Sequence, residues 1–192
     1  MKTHTPDGDG RIGQWFQTCS GRKFWPVSPR VGDFDIKDIA HHLANICRFG
    51  GATKKFYSVA SHSVHVSHLC PIHLAFEGLM HDGPEAYLGD VIRPLKYQLP
   101  QYLEIEHNLW KYFARQFGLQ FQISPEVKLA DNIALVTERR DLLTHTDNRW
   151  SIELERLQPD KKHIVAVSPK KAEADFLARY FYLQSQIART RT

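Results

Sequence analysis

Apolar side chains recur at three- and four-residue steps in every long segment of this chain, and none alternates cleanly enough to read as a strand. Asp35 reads as an N-cap ahead of Ile36, Ile39, Ala40, Leu43 and Cys47, a helix that closes at Arg48-Phe49-Gly50-Gly51, where paired glycines permit a left-handed turn. Ser58 reads as the cap of a second helix over residues 59–70, and an apolar run from Leu74 to Met80 forms a third that ends at His81-Asp82. Tyr102, Ile105, Leu109, Phe113 and Phe117 mark a fourth, stopped by Gly118. Ser124-Pro125 and Ser168-Pro169 each place a proline at a first helical position and start two more. The pattern predicts an all-α, single-domain helical bundle. At 192 residues the chain is long enough for one real core and short for two. Residues 1–14, rich in Gly, Thr and Asp, read as a flexible N-terminal arm, leaving residues 15–192 as the domain. Trp25 reads as an aromatic anchor packing that arm onto the core, with a lid over a pocket as the alternative. Ile164–Val167 is the one stretch with a faint extended character.

The informative residues are those that break the apolar stripes. His62 lies one turn after Val59 and one before Val66, on the inner face of its helix. His81 and Asp82 close an apolar helix, and Asp131 sits among Ala130, Ile133 and Ala134. Burying imidazoles and carboxylates costs several kcal/mol in order of magnitude unless they are paired or bind a metal. A bundle core can bring four such groups from three helices together. Two imidazoles and two carboxylates suit one divalent cation, with Mn²⁺, Fe²⁺, Co²⁺ and Zn²⁺ all compatible. Such an ion can polarise a phosphoryl oxygen and acidify a bound water. Cys19, Cys47 and Cys70 are odd in number and widely spaced, as expected of reduced thiols rather than of a disulfide framework or a Cys-based zinc site.

His62, His81-Asp82 and Asp131 together match the H…HD…D signature, and over residues 36–143 the chain resembles the HD-domain metal-dependent phosphohydrolases. The resemblance is closest to the bacterial 5′-deoxynucleotidases and their phage and prophage relatives. It implies an all-α, usually oligomeric protein that uses one divalent ion to hydrolyse 2′-deoxynucleoside 5′-phosphates at the α-phosphate. Arg48-Phe49 stands where those enzymes have an Arg-Trp pair on phosphate, sugar and base, so Phe49 keeps an aromatic face without the indole N–H. Glu85 and Asp90, in His-Asp-x-x-Glu-x-x-x-Gly-Asp, match acids that position or activate water. Pro94-Leu95-Lys96 resembles the family's Pro-Val-Lys, which makes Lys96 a substrate contact by resemblance.

A second branch of that family, the phage dATP triphosphohydrolases, shares the ligand set and releases triphosphate. Lys54, Lys55, Arg93 and Lys96 are the cations available for a longer phosphate chain. A catalytically silent nucleotide-binding or interaction module is the reading from a different class, and the intact ligand set with Glu85 argues against it. A net charge of +4 is too small to imply a nucleic-acid-binding surface. With no signal peptide and no apolar run long enough to span a membrane, the expected setting is cytoplasmic.

Overall fold

The computed structural model describes residues 10–190, with the side chain of Thr190 outside the description. The described residues are mostly helical. In chain order they form α1 (Ile36–Asn45), α2 (Val59–Leu69), α3 (Ala75–Met80), α4 (Glu85–Leu88), α5 (Arg93–Lys96), α6 (Pro100–Phe117), α7 (Pro125–Leu142), α8 (Ile152–Glu155) and α9 (Pro169–Thr190). One small antiparallel hairpin precedes them, β1 (Phe16–Gln17) and β2 (Lys23–Phe24), with Phe16 opposite Phe24. The sequence did not signal it, because two-residue strands are too short to show alternation. Ile164–Val167, the expected extended stretch, carries no strand.

The caps read from the sequence form. Asp35 accepts a hydrogen bond from the Lys37 amide, and Ser58 accepts one from the Ser61 amide. Each satisfies an amide that the first turn of a helix leaves without a backbone partner. Helix α2 is the hub, packing on α1, α3, α7 and α9. Its buried Val59 and Ala60 join Ile39, Leu43, Leu79, Leu109, Phe113 and Phe176 in the main core. Lower on the same helix Val66, with Cys70 just past its end, packs against Val127, Ala130 and Ala134 of α7. These two faces hold α2 and α7 close enough for polar residues on both to meet.

Two expectations need correction. Residues 1–9 of the expected arm lie outside the described residues, and the remainder is anchored: Arg11 is buried, donates to Asp33 at 2.9 Å, and lies 4.4 Å from the centre of the Trp25 ring. Trp25 is itself buried, as an anchor would be. Helix α1 ends at Asn45, earlier than its apolar spacing suggests, because Ile46 turns extended. The Arg48 amide donates to Tyr57 O at 2.9 Å and the Val59 amide to Ile46 O at 3.1 Å, closing a loop that carries Arg48 and Phe49. Arg48 therefore sits on that loop, beyond the end of α1. Phe49 has φ of 56°, followed by Gly50 at 58° and Gly51 at 84°. A bulky residue in the left-handed region costs roughly 1–2 kcal/mol, so the surroundings must hold this loop in place.

The turn after α3 is equally constrained. Gly83 follows Asp82 directly, and a Cβ built there would run into the ring of Phe113, which is fully buried. Gly83→Ala is therefore expected to destabilise the fold by about 1–3 kcal/mol, the usual penalty for overpacking a filled core. Urea unfolding of variant and parent measures this. Equal midpoints would mean that the Phe113 ring has room to move.

Candidate metal centre

His62, fully buried on α2, presents Nε2 at 3.1 Å from Asp131 Oδ1 of α7 and 3.4 Å from Asp82 Oδ2. His81, at the end of α3, presents its Nε2 at 3.2 Å from the same Asp82 oxygen. The two imidazole rings lie 5.3 Å apart, centre to centre. One ligand atom from each of His62, His81 and Asp131 falls within 4.8 Å of the others, a spacing that one ion can bridge.

Hydrogen bonds on the far side of each ring decide what the near side can do. His81 Nδ1 is 2.9 Å from Gly78 O, and a carbonyl can only accept, so Nδ1 carries the hydrogen. His62 Nδ1 is 2.6 Å from Glu138 Oε1, which orients it in the same way. Both Nε2 atoms are buried and form no hydrogen bond. In neutral rings they are lone pairs aimed at two carboxylates, the arrangement that histidine metal ligands adopt.

Electrostatics agree. Burial and the Arg48 charge disfavour imidazolium at His62, yet Glu138 and Asp131 outweigh them and lift it to about 9. At His81 burial is likewise overcome by Asp82, and its pKa rises. Asp131 moves the other way, because His62 overcomes the effect of burial. Two carboxylates in this enclosed space call for two positive charges. A divalent cation supplies the same charge as two imidazolium protons.

A second cluster gives a useful contrast. Cys19, Asp38 and His42 also bring ligand atoms within 4.8 Å of one another. There, however, the donors are engaged. Cys19 Sγ donates to Asp38 at 2.9 Å, and Ser20 donates to the same carboxylate through its amide and hydroxyl, both at 2.8 Å. His42 Nε2 accepts from the Cys19 amide at 3.1 Å while Nδ1 donates to Ala86 O at 2.8 Å. Burial and the bond to Asp38 push the Cys19 thiol up to about 12, so it stays a donor. This cluster stitches the β1–β2 turn to α1. Of the two clusters, it is the His62 cluster that holds orphaned nitrogens.

That cluster opens into a cavity of about 1070 Å³, lined by Arg48, Phe49, Glu85, Asp90, Arg93, Lys96 and Trp150 among others. Glu85 is buried, and its Oε2 has no hydrogen-bond partner. Burial, then Asp82 and Asp90, push its carboxyl well above the ordinary range. Burial raises Asp90 as well. Phe49 stands 6.4 Å from Trp150 across one end of the cavity, and Arg139 lies 4.7 Å from the centre of the Trp150 ring. Arg48 uses Nε and Nη2 on Glu138, at 3.2 and 3.1 Å, and turns Nη1 toward Asp82 at 3.7 Å. Only that edge of the guanidinium faces the cluster, since the other is engaged by Glu138. Lys96 is paired with Glu106 at 2.5 Å, which makes it a bound cation rather than a free one. Arg93 reaches Asp131 Oδ2 at 3.6 Å. Lys54 and Lys55 are exposed and outside the lining.

Glu138 and Trp150 were not anticipated from the sequence. Glu138 had a legible signal: it lies seven residues after Asp131, two helical turns on, beside the buried Thr137 and Ala134. Trp150 had none, since it sits in irregular chain after α7.

The chain is 40% identical over 167 residues to the uncharacterized protein YfdR of Escherichia coli K12, spanning 86% of this chain and 93% of that protein. It is 30% identical over 190 residues to the uncharacterized protein RCAP_rcc00048 of Rhodobacter capsulatus, spanning 88% of this chain and 95% of that one. No family model matches the chain.

Proposed function

We propose that this chain, which belongs to the same family as YfdR, is an HD-type metal-dependent phosphohydrolase acting at the α-phosphate of 2′-deoxynucleoside 5′-phosphates. The observation that carries the reading is the pair of buried, unbonded Nε2 atoms of His62 and His81, facing Asp82 and Asp131. Those four residues would hold the ion. A divalent ion held there supplies Lewis acidity toward a phosphoryl oxygen and toward water.

The protein's own groups do the rest. Arg48 Nη1 offers a donor to a phosphoryl oxygen at the edge of the cluster. Phe49 and Trp150 offer ring faces to a sugar or base. Glu85 and Asp90 border the same space and can orient water or exchange its proton. Buried and short of polar partners, Glu85 is poised to hold a proton rather than a salt bridge. A second reading, a dNTP triphosphohydrolase, draws on the size of the cavity. Its volume lies at the upper end of the roughly 300–1,000 Å³ typical of small-molecule sites, which leaves room for a longer phosphate chain alongside Arg93.

Metal content after purification, followed by phosphate and triphosphate release from paired dNMP and dNTP panels, tests both readings. A metal-free, inert protein across the panel would return the chain to a silent binding module. Within the leading reading, Arg48→Lys should lower catalytic efficiency about tenfold or more at unchanged net charge. One ammonium cannot serve Glu138 and the cavity with separate edges as a guanidinium does. Phe49→Ala should reduce discrimination between deoxy- and ribonucleotides more than it reduces metal binding. Paired deoxy and ribo kinetics read this directly, and an unchanged ratio would assign Phe49 to the loop alone.

A further inference from the structure

We infer that Glu138 is a positioning residue that fixes, through one carboxylate, both the His62 ring and the reach of Arg48 into the cavity. The inference rests on the metal-site reading above. Glu138 is fully buried on α7. Its two oxygens divide their work: Oε1 takes His62 Nδ1 at 2.6 Å, and Oε2 takes Arg48 Nε and Nη2 at 3.2 and 3.1 Å. The hydroxyl of buried Tyr57 borders the same carboxylate.

A purely structural account fits poorly. Buried ionic groups can often be replaced by apolar ones of similar volume with little loss of stability, so packing alone does not call for an acid here. The geometry does. Turning the His62 ring by its Nδ1–H points Nε2 at Asp131, and gripping Arg48 by two donors of one edge leaves Nη1 toward Asp82. Arg48 belongs to a loop with a left-handed Phe49, and the fully buried anchor defines where its charge can go. Metal ligation and phosphate contact thus share one support. Disturbing it should move both.

Glu138→Gln keeps the shape but offers one acceptor oxygen where the carboxylate offers two, and its amide N–H opposes one of the donors. Co²⁺ titration by calorimetry, with no substrate present, should show binding weakened about ten- to hundredfold, the range for altering a group behind a metal ligand. In steady-state kinetics with a deoxynucleotide the variant should also raise KM. Adding Arg48→Ala should raise KM little further, since Glu138→Gln has already misplaced that side chain. Co²⁺ affinity within twofold of wild type, with only a lowered melting temperature, would overturn the inference. So would KM effects of the two variants that simply multiply. Should Glu138→Gln fail to fold, Glu138→Asp retracts the same charge by one methylene and should also loosen Co²⁺ binding. Wild-type affinity in that variant counts against the proposal equally. A wild-type protein that takes up no Co²⁺ would instead sink the metal-site reading on which it rests.

Discussion

Asp131→Ala is expected to abolish stoichiometric binding of a divalent ion and, with it, metal-dependent turnover. Asp131 is the only one of the four candidate ligands contributed by α7, and its Oδ1 stands 3.1 Å from His62 Nε2. Without it, the site keeps two imidazoles and the single carboxylate of Asp82. The loss should exceed the roughly 10–100-fold that changing a residue behind a ligand produces. His81→Ala should behave alike, because its Nε2 is, with that of His62, a buried nitrogen without a hydrogen bond facing these carboxylates. Neither side chain belongs to the main apolar core, so both variants should stay folded and retain helical circular dichroism. Calorimetry with Mn²⁺ or Co²⁺ and metal analysis of the purified variants provide the measurement. An Asp131→Ala protein that binds metal one-to-one and turns over normally would remove Asp131 from the site.

The second large effect is expected at Glu85. Its carboxyl is buried, with one oxygen lacking a partner and with Asp82 and Asp90 as like-charged neighbours. A chain selected for stability alone has no use for an acid there, since an unsatisfied buried polar group costs about 1–3 kcal/mol. Glu85→Gln removes the ionisable proton at nearly constant shape, and Glu85→Ala removes the group. Both should bind metal as the parent does and unfold no more readily. Both should lose roughly a hundredfold to ten-thousandfold in kcat, the contribution of a well-placed acid or base. Turnover within a few-fold of the parent, in a protein loaded with metal, would leave Glu85 without a chemical role.

Local signals determined much of this protein. Asp35, Ser58 and the prolines at 125 and 169 stand at helix starts, since capping needs only neighbouring residues. Helical spacing likewise put His62 on the inner face of α2, where it is fully buried, and Asp131 in the same stretch of α7 as the buried Ala130 and Ala134. Those are statements about one helix at a time. Where the helices meet is not such a statement. The 3.1 Å between His62 and Asp131 depends on α2 packing against α7 through Val66, Val127 and Ala130, residues whose apolar character says nothing about their partner. Arg48 shows the same limit: its spacing continues α1, but an antiparallel bridge between Cys47 and Ser58 pulls the chain out of the helix. No window of neighbouring residues contains both ends of that bridge together with Glu138, ninety positions beyond Arg48, which holds its side chain. Spacing along the chain decides which face a residue occupies. Only packing across the chain decides that two imidazole nitrogens are left without hydrogen bonds beside two carboxylates, because those four groups come from three separate helical segments that no single stretch of sequence contains.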